Sequence, residues 1–499
     1  MNTTDSFFFA TLIPAFVLLA DLVIRLGLSL RVVMKKRSYS ITMAWLLIIV
    51  FVPFLGYLLY MLFGESRLPE WRLKRMRQSR NLYLTAPETL QPYAEDDWHG
   101  GNLLYASLHR LAQQTFGMPA LRDNNLQLYT KPADFFAALI HDIDQAETSC
   151  YLQFYIWSNG GEADAVGDAL IRAASRGVDC RVLLDDIGSR AFLNSSAVRV
   201  LSQAGVRVER SLPASLFWVF FTRLDIRNHR KLVIIDDAIA YSGSQNMADP
   251  AYFKAEAGVG EWIDLMVRLS GPVVGELNAM FAHDWFQETA DLIPFADFQS
   301  PEHVDTSVLS SSHPMVEHAP VQLAPSGPGD TPDAIHSLLL TTIYSARSQL
   351  IMTTPYFIPD DGVVEALRSA ALRGVDVRVI VPARCDSRLA HHASRARFEE
   401  LARAGVRICL FSGGLLHAKT ICVDRQVALI GSVNLDMRSF WINFEATLIV
   451  YCADFAQLLA AEQEQYMLHT TELDLAAFSQ RGWWLQFKEN ISLLVSPLL

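Results

Sequence analysis

Several features that point to common protein functions are missing from this 499-residue chain. Its six cysteines include no C-x-x-C pair, so zinc or redox chemistry has no spacing to support it. The histidines show no H-E-x-x-H spacing. The formal net charge of -11 argues against a nucleic-acid binder driven by overall positive charge. We therefore expect buried free thiols in a reducing compartment, no metal ion and no other cofactor.

Apolar sequence is instead abundant near the N-terminus. Residues 41–63 carry no charge and are long enough to cross about 30 Å of hydrocarbon. A second apolar run, residues 7–23, is interrupted by Asp21 and followed by Arg25, a pair able to neutralise each other. No basic residue precedes this run, which argues against a cleaved signal peptide. We predict a transmembrane helical hairpin with Pro53 kinking its second helix.

The orientation of this hairpin is not decided by its flanking charges. Basic residues lie on both sides of the second run: Arg31, Lys35, Lys36 and Arg37 before it, and Arg67, Arg72, Lys74, Arg75, Arg77 and Arg80 after it. The positive-inside rule therefore gives no clean answer. The larger cluster follows residue 63, which favours a cytoplasmic body and would attract anionic lipid headgroups.

An internal repeat organises the rest of the chain. Three segments recur in the same order about two hundred residues apart: 169–182 with 366–379, 201–208 with 401–408, and 228–236 with 416–424. This period is too long for a solenoid and predicts a duplicated domain.

Each copy alternates strand and helix patterns. Residues 150–157 are typical of a buried strand, residues 165–176 have helical spacing before Gly177, and residues 181–184 return to strand. This order predicts an α/β sandwich in each half. The boundaries we expect are an anchor (1–66), a basic juxtamembrane linker and lead-in (67–124), a first half (125–297), a Ser-, Pro- and His-rich linker (298–333), a second half (334–476) and an amphipathic tail (477–499).

The third repeat carries the residues that indicate a reaction. Both copies have the same offsets: His229, Lys231, Asp236, Gly243, Ser244 and Asn246 in the first, and His417, Lys419, Asp424, Gly431, Ser432 and Asn434 in the second. Residues two apart on a strand share a face, so each histidine and its lysine point into one space. A Gly-Ser turn lets backbone amides approach a ligand, and asparagine offers a donor. These groups suit a phosphodiester, and two such half-sites would surround one phosphate.

This doubled H-x-K-x-x-x-x-D pattern resembles the phospholipase D superfamily from about residue 125 to the end. Within it the chain is most similar to bacterial cardiolipin synthases. The likeness rests on Thr354–Asp360 (TPYFIPD), Ser326-Gly327-Pro328, the anchor residues Pro53, Gly56, Tyr60, Phe63 and Gly64, and the terminal Ser496-Pro497-Leu498-Leu499. Two mild departures are Ser158-Asn159, where the family often has an acid, and Gly243-Ser244, where Gly-Gly is frequent. The resemblance implies two phospholipase D-type halves that form one catalytic unit.

The resemblance also implies roles for these residues. His229 would be the nucleophile and His417 the acid and base, although the symmetric sequence leaves their order open. Lys231 and Lys419 would hold phosphate charge, together with the substrate-binding residues Ser244, Asn246, Ser432 and Asn434. Asp264 and Glu445 would orient the histidines, since the family uses an acid there. Asp236 and Asp424 complete the catalytic motifs, but their odd offset from histidine favours structural ion pairs over a role as bases.

The implied activity is reversible transfer between two phosphatidylglycerols, giving cardiolipin and glycerol through a phosphatidyl-histidine. The expected setting is a bacterial inner membrane, with a multi-pass anchor, phosphatidylglycerol and other anionic phospholipids as partners, and no nucleic acid. Phosphatidylethanolamine or glycerol as substrates and a homo-oligomer stay open. The alternatives are a phospholipase D hydrolase and, less favoured, a superfamily nuclease. The cluster Trp483, Trp484, Phe487 and Lys488 fits either a membrane-surface tail or packing on the body.

Overall fold

The computed structural model describes residues 3–35, 39–52, 54–65, 68–83, 88–95, 98, 103–214, 223, 225–253, 258–293, 314–329 and 333–495. The chain divides into two units, Met1–Glu70 with Ala214–Asp225, and Trp71–Pro213 with Ile226–Leu499. Pro53, most of the predicted linker and the terminal residues 496–499 lie outside the described residues.

The first unit is built from apolar helices, α1 (Thr3–Met34), α2 (Tyr39–Phe51) and α3 (Leu55–Phe63). Within the described residues, one helical stretch, Ile13–Met34, is long and apolar enough to cross a membrane, with a mean hydropathy of 2.0. The expected pair inside it is confirmed, because Arg25 Nη2 lies 2.5 Å from Asp21 Oδ2. This part of the chain therefore has the composition of a membrane anchor.

The predicted second crossing, residues 41–63, is not one continuous helix. The rings of Trp45 in α2 and Tyr60 in α3 are 5.3 Å apart, whereas a straight helix would separate them by about 22 Å. A Cβ at Gly56 would lie within 3.0 Å of the Ile48 backbone, so only glycine permits this approach. Phe54, at the turn, has φ of 59°. α2 and α3 thus fold back on each other, which hydropathy alone does not reveal.

The second unit contains the following helices: α4 (Glu70–Tyr83), α5 (Leu103–Phe116), α6 (Pro132–Gln145), α7 (Glu162–Ser175), α8 (Arg190–Leu193), α9 (Ser196–Gln203), α10 (Val273–Thr289), α11 (Ala334–Ser345), α12 (Asp361–Leu372), α13 (Arg388–Arg395), α14 (Phe398–Arg403), α15 (Met437–Trp441), α16 (Ala453–Met467), α17 (Leu475–Ser479) and α18 (Trp483–Leu494), with a 3₁₀ helix at Glu88–Tyr93.

Its strands are β1 (Ala120–Tyr129), β2 (Ser149–Phe154), β3 (Asp179–Asp185), β4 (Arg207–Ser211), β5 (Leu232–Ile235), β6 (Ile239–Gly243), β7 (Trp262–Ile263), β8 (Met266–Ser270), β9 (Met315–Ser326), β10 (Gln349–Thr353), β11 (Phe357–Ile358), β12 (Asp376–Pro382), β13 (Arg407–Phe411), β14 (Leu415–Leu416), β15 (Thr420–Val423), β16 (Val427–Gly431), β17 (Leu435–Asp436), β18 (Glu445–Val450) and β19 (Thr470–Glu472).

One 15-stranded mixed sheet joins the two halves, in the order β19-β13-β12-β10-β15-β16-β18-β9-β1-β8-β6-β5-β2-β3-β4. The order on one side of the central β9–β1 pair mirrors the order on the other. In the first half β2 pairs with parallel β3 and antiparallel β5. In the second half β10 pairs with parallel β12 and antiparallel β15. This symmetry confirms the predicted α/β class and duplication.

The helices cover the sheet so that the two halves share a core. α10 and α16 pack in a single apolar cluster with strands of both halves. α6 and α7 pack on the first half alone, and α5, α11 and α12 pack on the second. Because one helical layer spans the junction, the halves are held in a fixed relation, as a shared active site requires.

Parts of the expected domain division need correction. The predicted linker 298–333 includes β9, a central strand that pairs with both β1 and β18. Pro320 and Pro325 interrupt its β pattern in the sequence and hid the strand, since proline cannot donate to a sheet ladder. The lead-in 67–124 likewise supplies the start of β1 at Ala120 and the packed helix α5.

Candidate active site

Each histidine motif lies beside a short segment of the opposite half. Asn228 forms a parallel bridge with Phe444, and the His229 backbone N–H donates to the Phe444 carbonyl at 2.8 Å. In the other copy β14 pairs in parallel with β7, and the His417 N–H donates to the Ile263 carbonyl at 2.8 Å. Backbone hydrogen bonds between the halves thus position both imidazoles at one junction.

Each histidine is bonded to the carboxylate that the other half supplies. His229 Nδ1 lies 2.9 Å from Glu445 Oε2, and His417 Nδ1 lies 2.7 Å from Asp264 Oδ1. All four side chains are buried. A carboxylate on Nδ1 fixes the tautomer and leaves Nε2 to accept or deliver a proton. The two predicted orienting acids therefore lie on the histidines, in a crosswise arrangement that the sequence did not reveal.

Two buried lysines occupy the same junction. Lys231 Nζ donates to the His229 carbonyl and Lys419 Nζ to the His417 carbonyl, each at 2.5 Å. Burial, followed by the positive charge of Lys419, lowers the pKa of Lys231 well below its ordinary value. Burial lowers the pKa of Lys419 to about 8, against the attraction of the nearby acids. Two cations sharing a buried space are a favourable environment for an anion.

The pKa values of His229 and His417 both lie below the ordinary value for histidine. Burial lowers the pKa of His229 to about 4, although Glu445 acts to raise it. Burial lowers the pKa of His417 to about 4 in the same way, opposed by Asp264. Burial acts to raise the pKa of each carboxyl, but the adjacent imidazole and lysine outweigh it, and both pKa values are lowered. At neutral pH the site therefore holds ionised carboxylates and neutral imidazoles.

The serines contact the orienting acids rather than open space. Ser432 Oγ donates to Glu445 Oε2 at 2.5 Å and accepts from the Ala446 N–H at 3.0 Å. Ser244 Oγ accepts from the Leu265 N–H at 3.0 Å and donates to the Leu265 carbonyl at 3.3 Å, and its hydroxyl also acts to lower the pKa of Asp264. Ser432 thus holds Glu445, and Ser244 fixes the backbone next to Asp264. The direct phosphate contact expected of both serines stays a prediction.

The two asparagines of the motifs each have one unpartnered amide atom in the buried site. Asn246 Oδ1 accepts from the Ile156 N–H at 3.3 Å, while its Nδ2 is buried without a hydrogen-bond partner. The side-chain oxygen of Asn434 is likewise buried and unpartnered. Buried amide atoms are rarely left unsatisfied, so the Asn246 N–H is available to donate to a phosphate oxygen. The Asn434 oxygen can only accept a hydrogen bond, for example from a substrate hydroxyl.

The glycines before the serines serve strand packing. A Cβ at Gly243 would lie 2.3 Å from the Leu265 carbonyl oxygen, and one at Gly431 would lie 2.1 Å from the Ala446 carbonyl oxygen. Any side chain there would push β6 from β8, or β16 from β18. Glycine is therefore required at both positions by the close approach of a neighbouring strand.

The motif aspartates lie away from the imidazoles. Asp236 accepts backbone N–H groups of Glu147, Thr148 and Ser149 at 2.7–2.8 Å. Asp424 accepts those of residues 347–349 at 2.7–2.9 Å. Each carboxylate thus ties the end of β5 or β15 to the start of β2 or β10. Their role is structural, as the odd offset indicated, but the partners are backbone amides rather than the expected ion-pair cations.

Two aromatic side chains beside the histidines escaped the sequence analysis. The ring centroid of Tyr155 lies 5.0 Å from that of His229, and the centroid of Trp262 lies 4.4 Å from that of His417. The position equivalent to Trp262 in the second half is Asn443, whose Nδ2 donates to Glu445 Oε1 at 3.2 Å. The surroundings of the two histidines therefore differ. Trp262 and Asn443 each lie two residues before an orienting acid, so the repeat could have pointed to both of them.

Comparison with known proteins agrees with this geometry. A family model described as "Cardiolipin synthase, PLD-like domain" matches residues 139–285 and 339–467, and a "Phospholipase_D-nuclease N-terminal" model matches residues 15–65. The chain is 42% identical to cardiolipin synthase A of Klebsiella pneumoniae over 98% of this chain and 99% of that protein. It is 42% identical to cardiolipin synthase A of Yersinia pseudotuberculosis over 95% and 96%.

A solved structure shows the same fold at low sequence identity. Phosphatidylserine synthase of Haemophilus influenzae superposes with a TM-score of 0.58 at 15% identity, covering 79% of this chain and all of that one. Full-length similarity, two matched domains and paired histidine motifs lead to one conclusion: the chain belongs to the cardiolipin synthase family of phospholipase D-like proteins.

Proposed function

We propose that the chain transfers a phosphatidyl group from one phosphatidylglycerol to another, giving cardiolipin and glycerol. The observation that carries this proposal is the pair of crosswise carboxylate–histidine contacts beside two buried lysines. Such a site can hold one phosphodiester between two imidazoles. The relatives named cardiolipin synthase A supply the substrate class.

In the first step His229 Nε2 attacks the lipid phosphorus while His417 protonates the departing glycerol oxygen. A P–N bond forms as the P–O bond breaks, which leaves a phosphatidyl-histidine and free glycerol. In the second step His417 takes the proton from a hydroxyl of the second phosphatidylglycerol. That oxygen attacks phosphorus, the P–N bond breaks, and cardiolipin is released with both histidines restored.

The electrostatics of the site suit these steps. A neutral His229 is ready to attack because burial holds its pKa at about 4. His417 must carry a proton to act as an acid, and the negative charge of a bound phosphodiester raises an imidazole pKa. Lys231 and Lys419 stabilise charge on the non-bridging oxygens, with Asn246 and Asn434 as further ligands. Water would replace the second lipid in a hydrolase, so the acceptor decides between the two reactions.

The test is to incubate detergent-solubilised protein with labelled phosphatidylglycerol and separate the products. We expect cardiolipin and glycerol in equal amounts, and none from His229→Ala or His417→Ala protein. Phosphatidic acid as the sole labelled product would establish a hydrolase, and unchanged lipid with cleaved DNA a nuclease. To identify the nucleophile, the phosphatidyl-histidine is trapped and the protein is digested without acid. A phosphoryl group found on His417 would make His417 the nucleophile and His229 the acid and base.

We infer that the anchor crosses a bacterial inner membrane once, through α1, and that α2 and α3 enter and leave on the same side. The 13 residues of α2 extend about 20 Å, which is short of about 30 Å of hydrocarbon. Arg25 Nη1 donates to the Val50 carbonyl at 2.6 Å, so α2 runs back along α1. Arg31 Nε donates to Glu65 Oε1 at 2.7 Å, so the chain after α3 returns to the level where α1 ends.

This arrangement would resolve the ambiguity in the flanking charges. With a single crossing, the basic residues 31–37 and 67–80 fall on one side of the membrane. Both clusters then obey the positive-inside rule, which places the body in the cytoplasm and the N-terminus outside. With the two crossings of the expected multi-pass hairpin, the clusters would fall on opposite sides.

Cysteine labelling distinguishes the two topologies. Thr4→Cys and Leu68→Cys are treated separately in intact spheroplasts with a membrane-impermeant thiol reagent, with the unsubstituted chain as background. We expect labelling at position 4 before lysis and at position 68 only after it. Labelling of both positions before lysis, or of both only after it, would establish two crossings.

A further inference from the structure

The C-terminal helix α18 buries polar side chains and exposes apolar ones. Glu489 and Ser492 are 0% and 4% exposed. The large apolar side chains, which we call the α18 face, point outward: Trp483 (74% exposed), Trp484 (53%), Phe487 (47%), Ile491 (46%) and Leu494 (77%). A surface helix in water normally shows the reverse pattern. The sequence left open whether this tail packs on the body or meets a membrane, and the helix is built for both.

Buried ion pairs fix the outward direction of the α18 face. Glu489 accepts from Arg395 Nε at 2.9 Å and from Arg481 Nε at 2.7 Å. The Arg481 guanidinium also lies 4.1 Å from the ring centroid of Phe478. Rolling the helix to bury its aromatic side chains would carry Glu489 into water and leave the partly buried Arg395 and Arg481 without their partner. The apolar face is therefore held outward by the body itself.

The composition of the surface fits a lipid headgroup layer. The Trp484 and Phe487 rings stack with centroids 5.4 Å apart, and Lys488 Nζ lies 5.8 Å from the Trp484 centroid. On the adjacent helix α13, Arg388 and Leu389 are exposed, Leu389 by 41%. Aromatic rings, aliphatic side chains and cations together are typical of segments that lie in the interface of an anionic bilayer.

Buried side chains connect α18 with the candidate active site. Leu493 of α18 and Ala390 of α13 pack in one cluster with Ile358 of β11. Ile358 pairs with Asp436 in β17, two residues beyond Asn434. α18 is therefore packed on the part of the body that carries Asn434.

We propose that the α18 face docks on the bilayer and presents the site to anionic lipid headgroups. The proposal rests on the proposed function, because a substrate that stays in the bilayer must be reached from its surface. The tethering of the body by α1 keeps it near a membrane, and α18 then fixes which of its surfaces faces the lipid.

The first test compares two physical forms of the same substrate. The full chain and a Trp483→Gln, Trp484→Gln, Phe487→Gln variant are assayed on phosphatidylglycerol vesicles and on short-chain phosphatidylglycerol dispersed in detergent. We expect the variant to lose about tenfold on vesicles, equivalent to about 1.4 kcal/mol of docking free energy, and to match the parent in detergent. A matched control, Leu372→Gln with Leu468→Gln, removes side chains that are 72% and 73% exposed elsewhere on the body.

An equal loss in both assays, or no loss on vesicles, would overturn the docking proposal. If the parent chain makes no cardiolipin even in detergent, the proposed function fails instead. A second measurement then still tests docking. A fluorophore on Phe487→Cys in the full chain, reconstituted in anionic vesicles, is exposed to lipids that carry a quencher in the headgroup region. Quenching of the fluorophore at position 487, but not of one at Leu468→Cys, supports docking on the bilayer. If the lipid does not quench position 487 and the fluorophore there instead becomes shielded from water as protein concentration rises, the α18 face binds a second copy of the chain, which refutes the proposal.

Discussion

Replacing Asp264 by asparagine tests the crosswise arrangement of acids and histidines. The side chain is almost isosteric and buried, so the substitution removes a charge with little change in packing. Asp264 Oδ1 lies 2.7 Å from His417 Nδ1, and this carboxylate belongs to the half that does not carry His417. An asparagine amide can present its N–H to Nδ1 and so favour the wrong tautomer, with the proton on Nε2.

The expected effect is large on the rate and small on folding. A charge-assisted hydrogen bond contributes about 1.5–3 kcal/mol, and loss of the correct tautomer adds to it. We expect kcat for cardiolipin formation to fall by roughly a hundredfold to ten-thousandfold. The assay is release of glycerol from labelled phosphatidylglycerol in detergent, with thermal unfolding followed in parallel.

A matched variant, Glu445→Gln, provides the symmetric comparison. Glu445 bonds His229 at 2.9 Å, so its loss should impair the step that forms the phosphatidyl-histidine. A fall of less than about fivefold for Asp264→Asn in a folded protein would refute the reasoning, because the acid would then be dispensable to His417. A loss of activity that only parallels a loss of folded protein would also refute it.

Three further predictions follow from the charges of the site and its supports. First, kcat/KM should fall as pH drops below about 4, where His229 gains a proton. It should also fall as pH rises, because His417 loses the proton that the leaving glycerol needs and, through about 8, Lys419 loses its charge; a pH–rate profile checks both limbs. Second, His229 and His417 bind protons less readily folded (pKa about 4) than unfolded (about 6.5), so unfolding free energy should decrease on acidification across that window, by up to about 3 kcal/mol each. Chemical denaturation at several pH values measures this, and a flat profile would contradict it. Third, Asp424→Ala should lower stability by about 1–3 kcal/mol by removing charge-assisted hydrogen bonds to three backbone amides, yet leave kcat per folded molecule within a few-fold, unlike Lys419→Ala, which should abolish turnover.

The reacting groups were predictable from sequence because they recur at identical offsets. His229, Lys231, His417 and Lys419 needed only the repeat and the two-residue period of extended chain to be placed together. It was not predictable in the same way that each histidine binds the carboxylate of the other half. Which acid contacts which histidine depends on the two half-sheets meeting at β1 and β9, and no local pattern encodes that meeting.

The errors in the prediction have equally specific causes. The strand β9 was taken for linker because prolines break its apparent pattern, although sheet pairing tolerates them at suitable positions. The run 41–63 has the hydropathy of a crossing, but hydropathy carries no information on chain reversal, which the Trp45–Tyr60 contact reveals. The contact of the Ser432 hydroxyl with Glu445 was not visible in the sequence, because Glu445 lies thirteen positions away on a neighbouring strand.

The mirrored sheet has a consequence for how this protein can change over time. Each half supplies the carboxylate that binds the histidine of the other half. A substitution in one half therefore affects the histidine of the other, so neither half can lose its site residues without loss of the shared site. The residues around the histidines are under less constraint. Trp262 lies beside His417, whereas Asn443 occupies the equivalent position beside His229. The two halves can therefore diverge in the side chains around each histidine while the carboxylate–histidine contacts between them are kept.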